Sequence, residues 1–485
     1  MSLCISSIFK TSFTSCFLFT CILCILCSFE LFSQTDSLTR HSKKIKIEDV
    51  IVTGNKKTRT KIILRELTIS IGDSTYISNI EYVKVRSQQN LINTSLFNFV
   101  TITDTINTQT NQLKLFVDVK ERWYIWPQVI FEIQDRNFNQ WWLTKDLFRI
   151  NYGGALDFNN ITGNKDVLSF IVRLGYSERI GVSYKIPYIN KAQTVGIGVS
   201  FLLNRNNEIN YRTKDNKLLF YRDYNHYVRE ETETKIGITV RKNLNERHSF
   251  EAEYNTGSIR DTINELNPSY FSSKNTRIEY ISLQYRYTLD LRDNKPYPLK
   301  GWYAEFTAVK DGIGLLKKEF VDNTYATIGL KYYKPLSKRF FMANSIKLRT
   351  TAYRNPSYYF NKALGYSDDY VRGYEYYVID GQNFALGKTT IKYRLVKPRV
   401  IDLHQLKRLK KFNQIPYAIY LSAFGDGAYV DDSYFNKNNP LNNAFIFGYG
   451  AGVDLVTYYD NVIRIEYSFT RQFEHGLFLH FTAGL

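Results

Sequence analysis

The sequence predicts a mainly β protein: a sixteen-stranded antiparallel transmembrane β-barrel preceded by one small α/β domain. Alternating apolar and polar residues, the lack of a long apolar run after residue 33, and abundant Tyr and Phe lead to that reading. The alternation is clearest at residues 281–290. There Ile281, Leu283, Tyr285, Tyr287 and Leu289 interleave with Ser282, Gln284, Arg286, Thr288 and Asp290. A period of two sends the two sets to opposite faces of a strand. One face suits lipid and the other water, as in the wall of an outer-membrane barrel. Such a wall needs only about 9–11 residues per crossing, half of them polar. A mean hydropathy of −0.32 is therefore compatible with a membrane protein. The 38 Tyr and 33 Phe suit aromatic girdles at the two membrane interfaces.

Residues 1–33 read as a signal peptide. Lys10 precedes an apolar run from Thr11 to Phe32, and Leu31-Phe32-Ser33 ends it in the manner of a cleavage site. A helical membrane anchor is the alternative, because the run is long enough to span. Lipid attachment at Cys27 is a lesser one. All five cysteines (Cys4, Cys16, Cys21, Cys24 and Cys27) lie in this segment, so the remainder holds no disulfide framework and no thiolate site. The net charge of +18 is spread through strands and loops among 46 acidic residues, which speaks against nucleic acid as a partner.

Residues 45–123 read as strand, helix, helix, strand, strand. Ile45–Thr53 alternates and ends at Gly54-Asn55. Thr58–Leu67 carries Ile62, Ile63, Leu64 and Leu67 on one face, and Ile77–Ser95 places Val83, Leu91 and Ile92 together. Phe97–Thr103 and Gln112–Glu121 are strands either side of a polar turn. Residues 124–146 are expected to be a linker and 147–485 the barrel. Sixteen strands are expected to begin near Leu147, Val167, Ile180, Thr194, Lys217, Thr234, Ser249, Arg277, Trp302, Tyr325, Phe340, Leu386, Pro416, Phe445, Asn461 and Gly476. That is roughly 21 residues per crossing and connection, a reasonable repeat for such a barrel.

The leading domain resembles a polypeptide-transport-associated (POTRA) domain through Gly54-Asn55-Lys56-Lys57-Thr58, Ile63–Leu67, Gly72-Asp73, Leu96-Phe97-Asn98 and Val117–Trp123. Four stretches of the remainder resemble the outer-membrane-protein-85 superfamily. The first is Asp290–Gly301, with Asp290, Arg292, Asp293, Asn294, Pro298 and Gly301 in the family's places; Pro298 and Gly301 suit a tight turn. The second is Val371-Arg372-Gly373-Tyr374, which in the family sits at the tip of a loop folded into the barrel lumen. The resemblance implies that Arg372 faces an acid on the inner wall, since a buried guanidinium needs a carboxylate. The third is Phe424-Gly425-Asp426-Gly427-Ala428, which makes Asp426 the expected partner and Glu466 the second candidate. Ala428 stands where the family usually has Gly, and Lys392 where it often has Glu, so one carboxylate of the family's network is absent. The fourth is the end, His475–Leu485, similar to the terminal strand by which such barrels are recognised, although it finishes in Leu rather than an aromatic residue.

The resemblance implies a protein that inserts or translocates client proteins at the outer membrane, its leading domain in the periplasm. Partners would be unfolded outer-membrane or secreted clients, outer-membrane lipids and accessory subunits. A secretion pore for one dedicated partner is the alternative. No enzyme is expected: the sequence has no Gly-x-Ser-x-Gly, no phosphate-binding Gly-rich loop and no His-Glu-x-x-His. No cofactor or metal is expected either, because His41, His226, His248, His404, His475 and His480 are scattered, and His475 and His480 face opposite sides of one strand. Asp368-Asp369 and Asp431-Asp432 read as solvated turns, and the basic run Lys407–Lys411 as a periplasmic connection.

Overall fold

The structure, a computed structural model, describes residues 43–133, 145–316, 320–353, 356–402, 414–457 and 461–482. The signal-like segment, the basic run Lys407–Lys411 and the last three residues lie outside them. The described residues make two compact units. The first takes in residues up to Thr53, 67–88 and 101–118; the second takes in 54–66, 89–100 and 119–485.

A four-stranded sheet runs through the leading domain in the order β2-β1-β4-β3. Its strands are β1 (Lys44–Thr53), β2 (Ser74–Tyr76), β3 (Phe97–Asn107) and β4 (Gln112–Glu121), with helices α1 (Thr60–Arg65) and α2 (Ile80–Ile92) between them. β1 and β4 pair in parallel; β4 buries alternate residues, and β1 does so up to a bulge between Ile47 and Asp49 that moves the next buried position to Val50. Ile45, Ile47, Val50, Leu113, Leu115 and Val117 form the core of the first unit together with Leu67, Ile80 and Val83.

The second unit is dominated by a sixteen-stranded sheet whose neighbouring strands pair antiparallel. In chain order its strands are β5 (Ile125–Ile133), β6 (Ile150–Asn159), β7 (Val167–Gly175), β8 (Ser177–Ile186), β9 (Val195–Asn206), β12 (Arg229–Val240), β13 (Glu246–Ile259) and β14 (Arg277–Asp290). They continue with β15 (Gly301–Asp311), β16 (Asn323–Pro335), β17 (Phe340–Tyr353), β20 (Asn383–Asp402), β21 (Gln414–Asp431), β22 (Phe445–Val456), β23 (Val462–Thr470) and β24 (His475–Thr482). Each pairs with its sequence neighbour, which leaves β5 and β24 at the two ends of the order. Such a barrel closes where first and last strands meet.

Alternation sorts the side chains as the period of two requires. Val129, Phe131, Phe250, Leu283, Ile328, Ile465 and Leu477 are exposed large apolar groups on the outer face. No helix of the described residues is long and apolar enough to cross a membrane.

Two strand expectations change. The segment 124–146, expected as a linker, contains β5, the first barrel strand. Its alternation is blunted because the inward set, Trp126, Gln128, Ile130 and Glu132, is half apolar, and Pro127 is a residue confined to sheet edges. The strand expected at Lys217 is not in the wall. It is β11 (Lys217–Arg222), paired with β10 (Glu208–Lys214) in a separate hairpin. The tip is Asp215-Asn216, with φ of 52° and 56°, the two positive values of a type I′ turn.

That hairpin leaves the wall between β9 and β12 and reaches the connection between β21 and β22, eight strands away around the sheet. Asn216 donates through Nδ2 to Asn442 Oδ1 (2.8 Å) and to the Val378 carbonyl (3.1 Å). Its Oδ1 accepts from the Leu441 amide (2.8 Å), and its own amide donates to Asn439 Oδ1 (3.0 Å). Asp432, expected in a solvated turn, is fully buried in the same region. It accepts from the amides of Tyr434 and Phe435, from Gln382 and from Asn442. The loop end of the barrel is thus spanned by a satisfied polar network, beside an aromatic cluster of Tyr270, Phe271, Tyr280 and Tyr358.

At the opposite end, residues 54–66 belong with the barrel because α1 is held by its turns. Glu66, buried, takes both arms of the Arg241 guanidinium (2.5 and 2.9 Å) and the Tyr188 hydroxyl (3.1 Å). Burial alone would raise its pKa, but Arg241 outweighs burial and holds the carboxyl at about 2.

Candidate functional site

Val371-Arg372-Gly373-Tyr374 lies in the long connection between β17 and β20, between its short paired strands β18 (Lys362–Leu364) and β19 (Ile379–Asp380), and the whole tetrapeptide is buried. Arg372 is 5% exposed, and its fork is occupied. Nε donates to Asp426 Oδ2 (2.8 Å), and one terminal nitrogen donates to Asp426 Oδ1 (2.6 Å) and to Thr390 Oγ1 (3.0 Å). The other terminal nitrogen donates to Glu466 Oε1 (3.1 Å). The backbone amide of Arg372 also donates to Asp426 Oδ2 (3.1 Å), so one carboxylate fixes both main chain and side chain. The guanidinium carbon lies 3.8 Å from the Phe424 ring centre. This is the bidentate, stacked geometry in which arginine is not replaceable by lysine.

Strand register explains why these groups converge. Lys388 pairs with Asp426 and Thr390 with Phe424 across β20 and β21, and alternation puts all four on one face. Asp426 pairs with Gly448 and Gly452 with Glu466, which carries the same face through β22 to β23. Glycine occupies the inward positions 448, 450 and 452. A Cβ on Gly448 would stand 1.9 Å from the Arg372 carbonyl oxygen, so the wall is bare where the loop touches it. Gly373 has φ of 98°, and its amide donates to Glu375 Oε2 (2.8 Å). Val371 joins an apolar cluster with Tyr374, Leu386, Ala428, Val430 and Ile446. The methyl of Ala428, where the family usually has Gly, thus becomes part of the loop's seat. Tyr374 anchors the other side, its hydroxyl donating to Gln472 Oε1 (2.6 Å).

The strand-turn motif is not a tight turn. β14 ends at Asp290 and β15 begins at Gly301, and the ten residues between them reach other strands. Asp290 accepts a bidentate bond from Arg292 (2.8 and 2.9 Å), whose guanidinium lies over Tyr303. Asp293 Oδ1 accepts from the amides of Asn294 and Leu299, and Asn294 Oδ1 from the amide of Tyr297. Pro298 is buried. Gly301 has φ of 114°, and a Cβ there would meet the Leu291 carbonyl at 2.2 Å. These bonds aim Tyr297 inward, where its hydroxyl donates to buried Asp454 Oδ2 (2.6 Å) and its ring packs on Tyr420.

Asp454 in turn accepts from Arg464 Nε (2.9 Å), and that nitrogen lies 3.8 Å from Glu466 Oε1. A chain of contacts therefore runs Tyr297, Asp454, Arg464, Glu466, Arg372. Lys392, in place of the family's frequent Glu, sits with Nζ 3.8 Å from the Tyr297 ring centre. The sequence reading missed Thr390, Phe424, Gly448, Tyr297, Asp454 and Arg464. Phe424 and Thr390 were accessible through alternation from Asp426, and the period-two glycines of β22 were a visible sign of close approach. Nothing local marked Tyr297.

The charge arrangement fastens a loop to the inner wall. The POTRA model, described as a surface antigen variable number repeat, matches residues 45–122, and the Omp85 superfamily domain model matches residues 160–393. Among solved structures the chain is similar to BamA from Haemophilus ducreyi lacking POTRA domains 1–3. The identity is 13%, with 90% of this chain and 84% of that one covered and a TM-score of 0.51. It is also similar to CdiB from Escherichia coli, at 9% identity over 90% and 76% of the two chains with a TM-score of 0.55. At such identities the likeness is one of fold. No match was found among curated proteins.

Proposed function

This chain belongs to the Omp85 superfamily, whose barrels are outer-membrane proteins, and we propose that it inserts client proteins into the outer membrane without covalent chemistry. The observation that carries this reading is the occupied lumen. The loop bearing Arg372 is fastened to the inner wall, and the β10–β11 hairpin spans the loop end. A barrel filled in this way has its working surface at the junction of β5 and β24. Lipid cannot satisfy the backbone groups of a strand edge, so a client strand that pairs there gains what the bilayer withholds. The POTRA domain, placed in the periplasm, offers the edges of its own sheet to extended clients on the way in. Arg372 and its two carboxylates keep the loop seated and so brace the wall beside the junction.

A secretion pore for one dedicated partner is the second reading, supported by the single POTRA domain that the family model matches. It requires the loop and the hairpin network to leave the lumen together. Depletion of the protein followed by quantitative comparison of the outer-membrane proteome separates the two. Insertion predicts loss of many barrels, and loss of a single exported protein would favour the pore. An unchanged proteome would overturn both.

A further inference from the structure

His480 lies on β24, and its register partner on β23 is Arg464, two residues from Glu466, so its side chain shares their inward face. The ring of Tyr370 is stacked on it, with centres 5.6 Å apart and planes at 24°. Its Nε2 stands 3.6 Å from Glu375 Oε1 and 3.6 Å from Glu466 Oε2. Two residues back, buried Phe478 meets the Tyr376 ring at 5.5 Å. The lumenal loop is therefore applied to the inner face of the terminal strand on both sides of Arg372-Gly373, by residues 370, 375 and 376.

We propose that His480 is a positioning residue that latches the lumenal loop to the terminal strand, and that protonating it tightens the latch. The inference rests on the reading that a client strand is received at the edge of β24. A neutral imidazole at these distances makes no ion pair; an imidazolium is drawn to Glu375 on the loop and to Glu466 on β23 at once. Arg464, beside it on β23, opposes the charge, as does Arg372, which shares Glu466. Lys388 of β20 lies against the same Tyr370 ring, with Nζ 4.2 Å from its centre. Because Glu466 serves both His480 and Arg372, the strand and the loop are held by one carboxylate.

The test is hydrogen exchange of residues 475–482 in the full chain reconstituted in lipid nanodiscs. Rates are corrected for intrinsic exchange and compared at about pH 5 and about pH 8, the two sides of the histidine range. Protection of β24 is expected to be roughly fivefold greater at the acid side, the ratio that about one kcal/mol produces. His480→Gln should abolish the difference. His475→Gln should preserve it, because His475 bonds the Tyr467 hydroxyl on the outer face instead (2.7 Å). A flat profile in the unaltered chain, or a slope that survives His480→Gln, would overturn the latch. Client insertion measured in vesicles with the same protein keeps the two ideas apart. Intact insertion with a flat profile sinks the latch alone, and a pH-dependent β24 without insertion sinks the assembly reading.

Discussion

Replacing Arg372 by Ala removes four side-chain hydrogen bonds; Asp426, 5% exposed, loses its bidentate cation, and Glu466, 0% exposed, keeps only the more distant Arg464. Breaking one side of a buried ion pair costs about 3–5 kcal/mol, because the surviving charge stays desolvated. At tenfold per 1.4 kcal/mol, the loop's opening equilibrium should rise by roughly two to three and a half orders of magnitude. The direct assay is hydrogen exchange at the amides of Tyr374 and Tyr377, which bond to the carbonyls of Val371 and Tyr374 inside the loop. Their protection should fall by about that factor, while amides in β16 and β17 keep theirs. Arg372→Lys should fall between, since it keeps the charge but not the fork. Adding Asp426→Asn to Arg372→Ala should recover about 1–3 kcal/mol by removing an unpaired charge. Unchanged loop protection in Arg372→Ala would refute the reasoning, as would strictly additive losses in the double variant.

Gly448→Ala places a methyl where only 1.9 Å separates it from the Arg372 carbonyl. It should unseat the loop at a cost of about 1–3 kcal/mol, seen as faster trypsin cleavage after Arg372 with the barrel still resistant. Tyr297→Phe deletes one hydroxyl from the buried Asp454 carboxylate. It should lower thermal stability by about 1.5–3 kcal/mol and weaken loop protection through Arg464 and Glu466; an unaltered loop would break that chain of contacts. Glu66→Gln addresses acid sensitivity. The carboxyl is held at about 2 in the folded protein, below its ordinary value, so its contribution is complete above the ordinary value and is lost as pH falls toward 2. The unaltered protein should lose stability between about pH 4.5 and 2 more steeply than Glu66→Gln in chemical denaturation at each pH.

What could be read from the residues followed from periodicity. From Ile281 onward in β14 and from Ile463 onward in β23 apolar and polar residues alternate, so those faces were assignable. β5 was not, because Trp126 and Ile130 put apolar side chains on the inward set. β11 carries an unbroken apolar run, Leu218 to Tyr221, that reads as readily as a wall strand, yet it belongs to the loop-end hairpin; a short apolar run reports a strand without saying what buries it. The expectation that Arg372 needs a carboxylate came from the cost of burial together with a family resemblance. Asp426 and Glu466, 54 and 94 residues away, meet it through strand register. Tyr297 shows the boundary of sequence reasoning. The bonds that bend its connection are local and were foreshadowed by Asp293 and Asn294, but its target lies on β22, which pairs with neither β14 nor β15. Asp432 failed for a related reason, since its partners come from two separate connections, β17 to β20 and β21 to β22.

The central claim is that a client strand joins the wall at the edge of β24 while the lumen stays occupied. A photo-crosslinking residue at Leu479 of β24, compared with one at Ile171 on the inner face of β7, tests this during assembly of a radiolabelled client barrel. Adducts from position 479 should trap partly folded client and disappear once it is released, with none from position 171. Adducts from the lumenal position, or from neither, would contradict it.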